Sequence, residues 1–401
     1  MARAPRAPRA VAWLHSNLGF GGGERVLVEQ VRALAARGNP VDVWTTNANG
    51  PQDLEGAIRA ANPRVRDIGP ATSTNHLARE IRRRGYEAVV TCWTTRGYRA
   101  VHEAARRPFA RRPVVVETVH ERYGWCLRDH KDRRRDEVDF WLATYDFRAP
   151  LRAAFDLDDA RIGIARPLFP DLLPKDPAGA RTLGRALRRA RGIPDEAVVV
   201  GYVGRISGNK GLHHVLPAAA RIAARGADVH LLLAGRYSPR SAAYEARFEA
   251  ALREAAGPGA PLEGRVHLLG AVEDGAPVYA ASDVVTLLTS MEGYFPLMLV
   301  EALGHGVPVV TTDVGGIGEC LADGRDARVV RKVPDDELDS APAVVEAFEA
   351  ALEAVVRDPV ERARLGAAGR ARVEALVRGN DFHADTLSAY ERALTLGRLR
   401  R

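Results

Sequence analysis

The sequence is poor in cysteine and lacks any long apolar run. Only three of its 401 residues are cysteines, Cys92, Cys126 and Cys320, and no two of them form a CxxC pair. This spacing argues against a disulfide framework and a structural zinc site, and it suits a reducing compartment. The apolar runs are too short for a membrane span or for the core of a signal peptide. We therefore expect a cytoplasmic protein.

Acidic residues are fewer than basic ones. The 58 lysines and arginines outnumber the 51 aspartates and glutamates, which gives a net charge of +7. Arginine clusters at positions 106–107, 111–112 and 133–135 carry much of this charge. We interpret them as solvated surface, and peripheral contact with an anionic membrane or an acidic acceptor stays open as an alternative. Because no aromatic residues are interleaved with these arginines, we predict no nucleic-acid partner.

The length of the chain exceeds what one compact core usually holds, so we predict two domains. In the N-terminal half, valine-rich runs alternate with helical segments. A helix is predicted over 21–38, where apolar residues repeat at helical spacing. Strands are predicted over 10–15, 40–46, 87–92 and 113–120. Continuous apolar runs of this kind, bounded by helices, indicate a parallel sheet that is buried on both faces.

The second half follows a stretch with four prolines, residues 165–180, which predicts a linker. The alternation then restarts, with strands predicted over 197–203, 228–235, 265–270, 283–288, 307–312 and 327–330. We predict an α/β protein of two doubly wound, Rossmann-like domains, over 1–170 and 185–378, that face a central cleft. Ligands of such sheets sit beyond the carboxyl ends of the strands, so the loops there should carry the chemistry.

The loop after the strand 283–288 leads into an apolar helix. Pro296 is tolerated in a first helical turn, so we predict that the helix begins there. The backbone N–H groups of Gly293, Tyr294 and Phe295 would then surround a helix start, which carries partial positive charge and attracts phosphate. The loop is therefore a candidate phosphate site.

Two glutamates flank this helix start. Glu292 precedes it, and Glu301 lies in its second turn, from which a side chain could reach a ribose diol. The simpler interpretation is that Glu292 only neighbours the helix N-cap and that Glu301 lies on a solvated face of the helix. However, Glu301 lies between Val300 and Ala302 in a helix with few polar residues, and a buried carboxylate needs a partner. That context favours a functional role.

A second loop, in GYVGRISGNKG, follows the strand 197–203 and holds Gly204, Arg205 and Lys210. Two cations five positions apart across a tight turn suit a diphosphate, because a guanidinium grips oxygens in a fork and an ammonium acts as a point charge. The GxxxxGK[ST] pattern of a P-loop is absent. Considered alone, this loop indicates a surface turn with two solvated cations. Paired with the helix start near Gly293, it favours a diphosphate site.

Two loops of the N-terminal half complete the candidate set. Gly22 and Gly23 lie between a strand and a helix, where glycine lets backbone approach a ligand closely. They do not form GxGxxG with a suitably placed acidic residue, so we do not predict a dinucleotide site. His120 ends the strand 113–120, on the side where ligands bind. A lone histidine is more often a packing or surface residue. The position of His120 at the carboxyl end of a strand nevertheless favours a functional role.

With these loops in place, the chain resembles the family-4 retaining glycosyltransferases of the GT-B fold over nearly its whole length. The matching stretches are GGGERVLVEQVRALAARG, YVGRISGNKG and EGYFPLMLVEALGHGVPVVTTDVGG. The three stretches together make the resemblance specific, and any one of them alone would be a weak signal. The family usually spaces its two glutamates eight positions apart. Here Glu292 and Glu301 are nine apart, so the loop holds one extra residue.

The resemblance implies roles in binding a nucleotide-diphosphate sugar. Arg205 and Lys210 would neutralise the donor's diphosphate as the sugar departs. Glu301 would hold the ribose, and Glu292 would sit near the transferred sugar. The backbone of 293–295 would bind phosphate. The family needs neither a metal ion nor a cofactor, so we expect none here.

The resemblance also assigns the N-terminal domain to the acceptor, which could be a sugar, a lipid-linked molecule or a natural product. Gly22 and Gly23 would face the diphosphate or the acceptor, and His120 would contact the sugar. Residues 379–401 would form a helix that crosses back to the N-terminal domain. Rival interpretations are a nucleotide-sugar-binding pseudo-enzyme and a sugar-nucleotide epimerase or phosphorylase on the same fold. A phosphorylase with pyridoxal phosphate would need a Schiff-base lysine, and the chain has few lysines.

Overall fold

The protein divides into two compact units, one of Met1–Pro167 with Asp381–Arg401 and one of Leu168–Asn380. The computed structural model describes residues 10–15, 18–19, 21–46, 53–71, 73–92, 99–101, 103–104, 112–120, 138–237, 242–331 and 338–399. Cys126 and the arginines at 106–107, 111 and 133–135 lie outside these residues. Arg112 is described, and its guanidinium pairs with Asp139 at 2.9 Å.

Each unit is built on one parallel sheet. In the first unit the strands lie in the order β3-β2-β1-β4-β5-β6-β7, and in the second in the order β10-β9-β8-β11-β12-β13. The strands are β1 (Val11–His15), β2 (Val41–Thr45), β3 (Val65–Pro70), β4 (Ala88–Thr91), β5 (Val114–Val119), β6 (Phe140–Ala143), β7 (Ile162–Ile164), β8 (Val198–Val203), β9 (Val229–Ala234), β10 (Val266–Gly270), β11 (Val284–Leu287), β12 (Val309–Thr312) and β13 (Arg328–Val330). The strand order reverses beside β1 and beside β8, the position where open parallel sheets bind ligands.

The described helices lie between the strands, except for the last three, which follow β13. They are α1 (Gly22–Arg37), α2 (Glu55–Ala61), α3 (Thr74–Arg84), α4 (Arg148–Phe155), α5 (Pro177–Ala190), α6 (Leu212–Ala224), α7 (Ala242–Ala256), α8 (Ala276–Ala281), α9 (Leu297–Gly304), α10 (Ile317–Cys320), α11 (Pro342–Arg357), α12 (Pro359–Arg378) and α13 (Phe382–Leu399). None of these described helices combines the length and the apolar character that a bilayer crossing requires. The predicted pair of doubly wound α/β domains is confirmed.

The proline-rich stretch 165–180 differs from the expected linker. Pro170–Leu172 form a 3-10 turn, and α5 begins inside the stretch at Pro177. Proline suits the first position of a helix, where its missing N–H costs nothing. The carboxylate of Asp176 caps this helix by accepting a hydrogen bond from the Gly179 N–H at 2.9 Å. These prolines therefore mark a turn and a helix start.

Helix α13 packs on the first unit, against α1 and the strands β5 to β7. Glycine allows the close approach at both ends of the contact. A Cβ built on Gly163 of β7 would lie 2.7 Å from the Ala389 Cβ, and one on Gly397 would lie 2.3 Å from Val114 Cγ2. The Arg392 guanidinium covers the Phe140 ring at 5.4 Å. The last helix is therefore an integral layer of the first unit.

Glu87 ties α13 to α1. Its Oε1 atom accepts hydrogen bonds from Arg37 Nη1 at 2.6 Å, Asn39 Nδ2 at 2.6 Å and Tyr390 OH at 3.0 Å. We expect Glu87→Ala to destabilise the first unit by about 2 kcal/mol, because three donors lose one largely buried charged acceptor. Hydrogen exchange should show the loss first in α13.

Glu391 offers the matched control. Its carboxylate lies 3.9 Å from Arg37 Nε and is 59% exposed. Such an exposed pair contributes little, so Glu391→Ala should leave both the unfolding midpoint and the exchange of α13 close to wild type. Equal effects of the two substitutions would contradict the role given to Glu87.

Candidate functional site

A lysine and a glutamate 82 residues apart meet beyond the carboxyl ends of β8 and β11. Lys210 ends the 3-10 turn Gly208–Lys210 that follows β8, and Glu292 lies in the loop that follows β11. Lys210 Nζ donates to Glu292 Oε1, and the two side chains are 14% and 11% exposed. Limited exposure leaves the pair less screened than a surface pair. The structure thus brings together two residues that the sequence had placed in separate loops.

Thr289 belongs to the same cluster, although the sequence analysis did not single it out. Its Oγ1 atom lies 2.9 Å from Glu292 Oε1 and 2.9 Å from the Asn209 carbonyl oxygen. The Ser290 N–H also donates to the Asn209 carbonyl, at 2.9 Å. The loops after β8 and β11 are therefore bonded to one another and hold the pair in place. The available signal was a hydroxyl residue directly after a buried strand.

Glycines set the course of the chain around Arg205, whose side chain is exposed. A Cβ built on Gly235 would lie 1.9 Å from the Gly204 carbonyl oxygen, so no other residue fits at position 235. The Tyr202 hydroxyl donates to the Arg205 carbonyl oxygen at 2.6 Å. Burial and then the nearby Glu292 carboxylate raise the pKa of Tyr202 well above its usual value, so this hydroxyl keeps its proton.

Gly211 fixes the turn that carries Lys210. It has φ +65, in the left-handed region, and α6 begins at the next residue. A Cβ at this position would lie 2.1 Å from the Leu288 carbonyl oxygen, at the end of the neighbouring strand. Both the backbone conformation and the close approach therefore require glycine.

Helix α9 begins at Leu297, one residue later than predicted, with Pro296 as its N-cap. The loop before it is packed down on the protein. The side chains of Tyr294 and Phe295 are buried, and the Gly316 N–H lies 3.1 Å from the Gly293 carbonyl oxygen and 2.8 Å from that of Tyr294. The aromatic side chains of Tyr294 and Phe295 are therefore used in packing within the second unit.

The half-buried Glu301 has a partner in Tyr279 of α8, which the sequence analysis missed. The Tyr279 hydroxyl donates to Glu301 Oε2 at 2.7 Å. The His305 ring lies 5.9 Å from the Tyr279 ring. Burial lowers the pKa of His305, although the Glu301 carboxylate acts in the opposite direction. A tyrosine nine residues after the end of β10 gave no sign of this contact in the sequence.

In the first unit, Gly22 and Gly23 begin α1, and His120 follows the last residue of β5. Burial, and then the neighbouring His15, lower the pKa of His120 to about 3. Its imidazole is therefore neutral at pH 7 and can both donate and accept a hydrogen bond. His15 ends β1 and is 6% exposed. It is a second strand-end histidine that the sequence analysis left out.

A group that could hold a metal ion lies at the start of α6, where His213, His214 and Asp339 have ligand atoms within 4.8 Å of one another. Both imidazoles approach Asp339 Oδ1, from His213 at 3.3 Å and from His214 at 2.9 Å. The Arg247 guanidinium already contacts both oxygens of this carboxylate and holds its pKa well below the usual range. We interpret the cluster as a set of satisfied ion pairs and hydrogen bonds that fixes the turn Leu338–Ser340 to α6 and α7.

Two family models match the chain. The model for glycosyl transferases group 1 matches residues 197–358, and the model for glycosyltransferase family 4 matches residues 20–162. One matched stretch lies in each unit. The stretch 197–358, in the second unit, contains Arg205, Lys210, Glu292 and Glu301.

Solved structures with the same fold are known. Anabaena Alr3699/HepE in complex with UDP and glucose aligns with a TM-score of 0.71 and 18% identity, over 95% of this chain and 98% of that chain. Sucrose-phosphate synthase from Thermosynechococcus elongatus aligns with a TM-score of 0.67 and 22% identity, over 98% of each chain. The two parallel-sheet units thus define a protein of the GT-B fold class.

Curated relatives match over shorter stretches. D-inositol 3-phosphate glycosyltransferase of Corynebacterium urealyticum is 31% identical over 198 residues, which is 49% of this chain and 45% of the relative. Phosphatidyl-myo-inositol mannosyltransferase of Mycolicibacterium smegmatis is 32% identical over 157 residues, 38% of this chain and 36% of the relative. These matches span less than half of each relative's length. The chain thus carries a stretch that matches glycosyl transferases group 1 and a stretch that matches glycosyltransferase family 4, one in each parallel-sheet unit.

Proposed function

We propose that this protein is a retaining glycosyltransferase that moves a sugar from a UDP- or GDP-sugar to an acceptor hydroxyl. The observation that carries the proposal is the contact between Lys210 and Glu292 at the carboxyl edge of the second sheet. A cation and a carboxylate held there, with the exposed Arg205 in the same loop as Lys210, match the two ends of a sugar diphosphate. One end carries negative charge, and the other carries hydroxyl groups that donate to a carboxylate.

The second unit would act on the leaving group. As the glycosidic bond breaks, negative charge grows on the diphosphate, and preorganised cations stabilise that charge more than the ground state. Lys210 Nζ would exchange its bond to Glu292 for a phosphate oxygen, and the Arg205 guanidinium would grip the diphosphate from the solvent side. Glu292 would then accept hydrogen bonds from the sugar, still oriented by Thr289. The backbone of 293–295 would contact phosphate, and Gly204 would leave room for it.

The first unit would bind the acceptor, with Gly22 and Gly23 near the diphosphate or the acceptor and His120 against the sugar. A neutral imidazole suits this role, because it can accept from one hydroxyl and donate to another. Retention would follow from attack on the face that the leaving phosphate occupies, with that phosphate taking the proton of the acceptor. This chemistry needs no metal ion.

The acceptor is proposed as a sugar, a lipid-linked molecule or a natural product with a free hydroxyl. The names of the two bacterial relatives support testing inositol phosphates and phosphatidylinositol among them. The excess of basic residues fits an anionic acceptor or peripheral contact with an anionic membrane.

Donor screening tests the proposal directly. Thermal shifts with UDP-, GDP-, ADP- and dTDP-sugars should single out one nucleotide, and that donor should be consumed in the presence of an acceptor and EDTA. NMR of the product should show the anomeric configuration of the donor. Inverted configuration, or turnover that disappears with EDTA, would contradict the mechanism.

The nine-residue separation of Glu292 and Glu301 supports a second candidate, a nucleotide-sugar-binding protein without turnover. That protein would give the same thermal shift, and no acceptor would promote release of nucleoside diphosphate. A sugar-nucleotide epimerase would change the sugar of the donor in the absence of any acceptor. The three outcomes are distinct in one assay.

A further inference from the structure

The carboxylate of Glu301 is oriented by a tyrosine that no motif contains. Tyr279 is 1% exposed, and its hydroxyl donates to Glu301 Oε2 at 2.7 Å. Glu301 itself is half-buried between Val300 and Ala302, which are fully buried. A carboxylate in such surroundings depends on fixed donors, because little water reaches it. The bond from Tyr279 therefore holds one oxygen of the carboxylate in a fixed place.

Tyr279 is itself held firmly. Its N–H donates to the Gly275 carbonyl oxygen at 3.0 Å, and its carbonyl accepts from the Ser282 N–H at 3.0 Å. The ring lies against Gly275, where a Cβ would come within 2.9 Å of Tyr279 Cε2. On the other side, Gly184 of α5 lets the two helix backbones touch, since a Cβ there would lie 2.6 Å from the Ala280 carbonyl carbon. The hydroxyl thus comes from a rigid part of the second unit.

We propose that Tyr279 is a positioning residue that aims the Glu301 carboxylate at the ribose hydroxyls of the nucleotide donor. This inference rests on the function proposed above. A carboxylate has about four acceptor sites, and the hydrogen bond from the tyrosine uses one of them. The terminal torsion of a glutamate is broad and nearly free. Without the hydroxyl, Glu301 would sample orientations in which it meets fewer of the ribose hydroxyls.

The test compares ribonucleotides with 2′-deoxyribonucleotides on the full chain. Calorimetry would measure UDP, GDP, dUDP and dGDP on the wild type and on Tyr279→Phe. We expect the wild type to prefer the better ribonucleotide over its deoxy form by about tenfold, and Tyr279→Phe to reduce that ratio to about twofold. The donor KM should rise by about tenfold with kcat within about twofold, because ribose contacts are the same in the ground state and the transition state.

A double substitution separates positioning from a general structural effect. If Tyr279 acts through the carboxylate, Tyr279→Phe should change affinity by less than about twofold in a Glu301→Gln background. Tyr390→Phe is the matched control, because its hydroxyl donates to Glu87 at 3.0 Å in the first unit. That variant should keep both the affinity and the preference for ribose.

Gly275→Ala gives an independent variant should Tyr279→Phe fold poorly. Its added methyl would displace the Tyr279 ring and keep the hydroxyl, and it should also weaken the preference for ribose. Full ribose discrimination in folded Tyr279→Phe, or an equal loss with and without the Glu301 carboxylate, would overturn the inference and leave the proposed function intact. A wild type that binds none of the sugar nucleotides or nucleoside diphosphates would overturn both.

Discussion

Lys210→Ala should lower kcat/KM for the donor by about a thousandfold, or about 4 kcal/mol of transition-state stabilisation. The reason is that Lys210 Nζ is a largely buried cation placed where the leaving diphosphate would gain charge. Most of the loss should appear in kcat, since the charge grows as the bond breaks. Steady-state kinetics with the donor identified by thermal shift would measure kcat and the KM for that donor. Lys210→Arg should recover only part of the rate, because a forked planar group replaces a point charge.

Lys175 provides the control for this experiment. It lies in the same unit, its ammonium pairs with Asp171 at 3.0 Å, and it is 77% exposed. Lys175→Ala removes the same formal charge, so any general effect of net charge on the anionic donor should appear in both variants. We expect Lys175→Ala to keep the wild-type rate. Wild-type turnover in Lys210→Ala would refute the assignment of the site.

Gly211→Ala should destabilise the second unit by about 3 kcal/mol and abolish most donor binding. Part of this cost is the left-handed backbone, φ +65, which disfavours alanine by about 1 kcal/mol. The remainder is the overlap of the new Cβ with the Leu288 carbonyl oxygen, 2.1 Å away. Relief of that overlap must separate the loops after β8 and β11, which hold Lys210 against Glu292. Denaturant unfolding and calorimetry with the nucleotide would report the two losses.

Gly192 separates the two contributions to this cost. It has a nearly identical φ of +63, and no atom lies within 4 Å of a Cβ built on it. Gly192→Ala should therefore cost only the backbone term, about 1 kcal/mol, with nucleotide affinity unchanged. If the two variants unfold at the same denaturant concentration, the overlap with the Leu288 carbonyl does not contribute to the loss of stability in Gly211→Ala.

The strands of the second unit were predictable because most are runs of apolar residues between polar ends. All six lie within, or within one residue of, the predicted ranges. In the first unit β3, β6 and β7 were missed. β3 is only partly buried and lacks an apolar run, and β6 and β7 have four and three residues. A partly buried, polar strand such as β3 is held by its pairing with β2, so a local pattern cannot indicate it. Shortness alone did not hide β6 and β7, since β11 and β13 are equally short and were predicted.

The residues of the site were predictable to the extent that they carry charge or sit in a glycine-rich turn. The residues that hold these site residues in place were not predictable from the sequence. Thr289, Tyr279 and Gly235 come from ordinary stretches, and their importance depends on what the fold places opposite them. The pairing of Lys210 with Glu292 joins residues that are distant in sequence, and only the order of β8 and β11 in the sheet makes them neighbours. Such partners follow from tertiary packing.

The packing of the C-terminal helix α13 on the N-terminal unit has a consequence for the order in which the protein folds during synthesis. A ribosome releases the chain from its N-terminus, and domains generally fold as they emerge. The residues of Leu168–Asn380 that have emerged can form contacts with one another before the helix that covers β5 to β7 leaves the ribosome. The part of the protein that is made first would therefore mature last, and in the interval its bare strands would be a natural substrate for a chaperone.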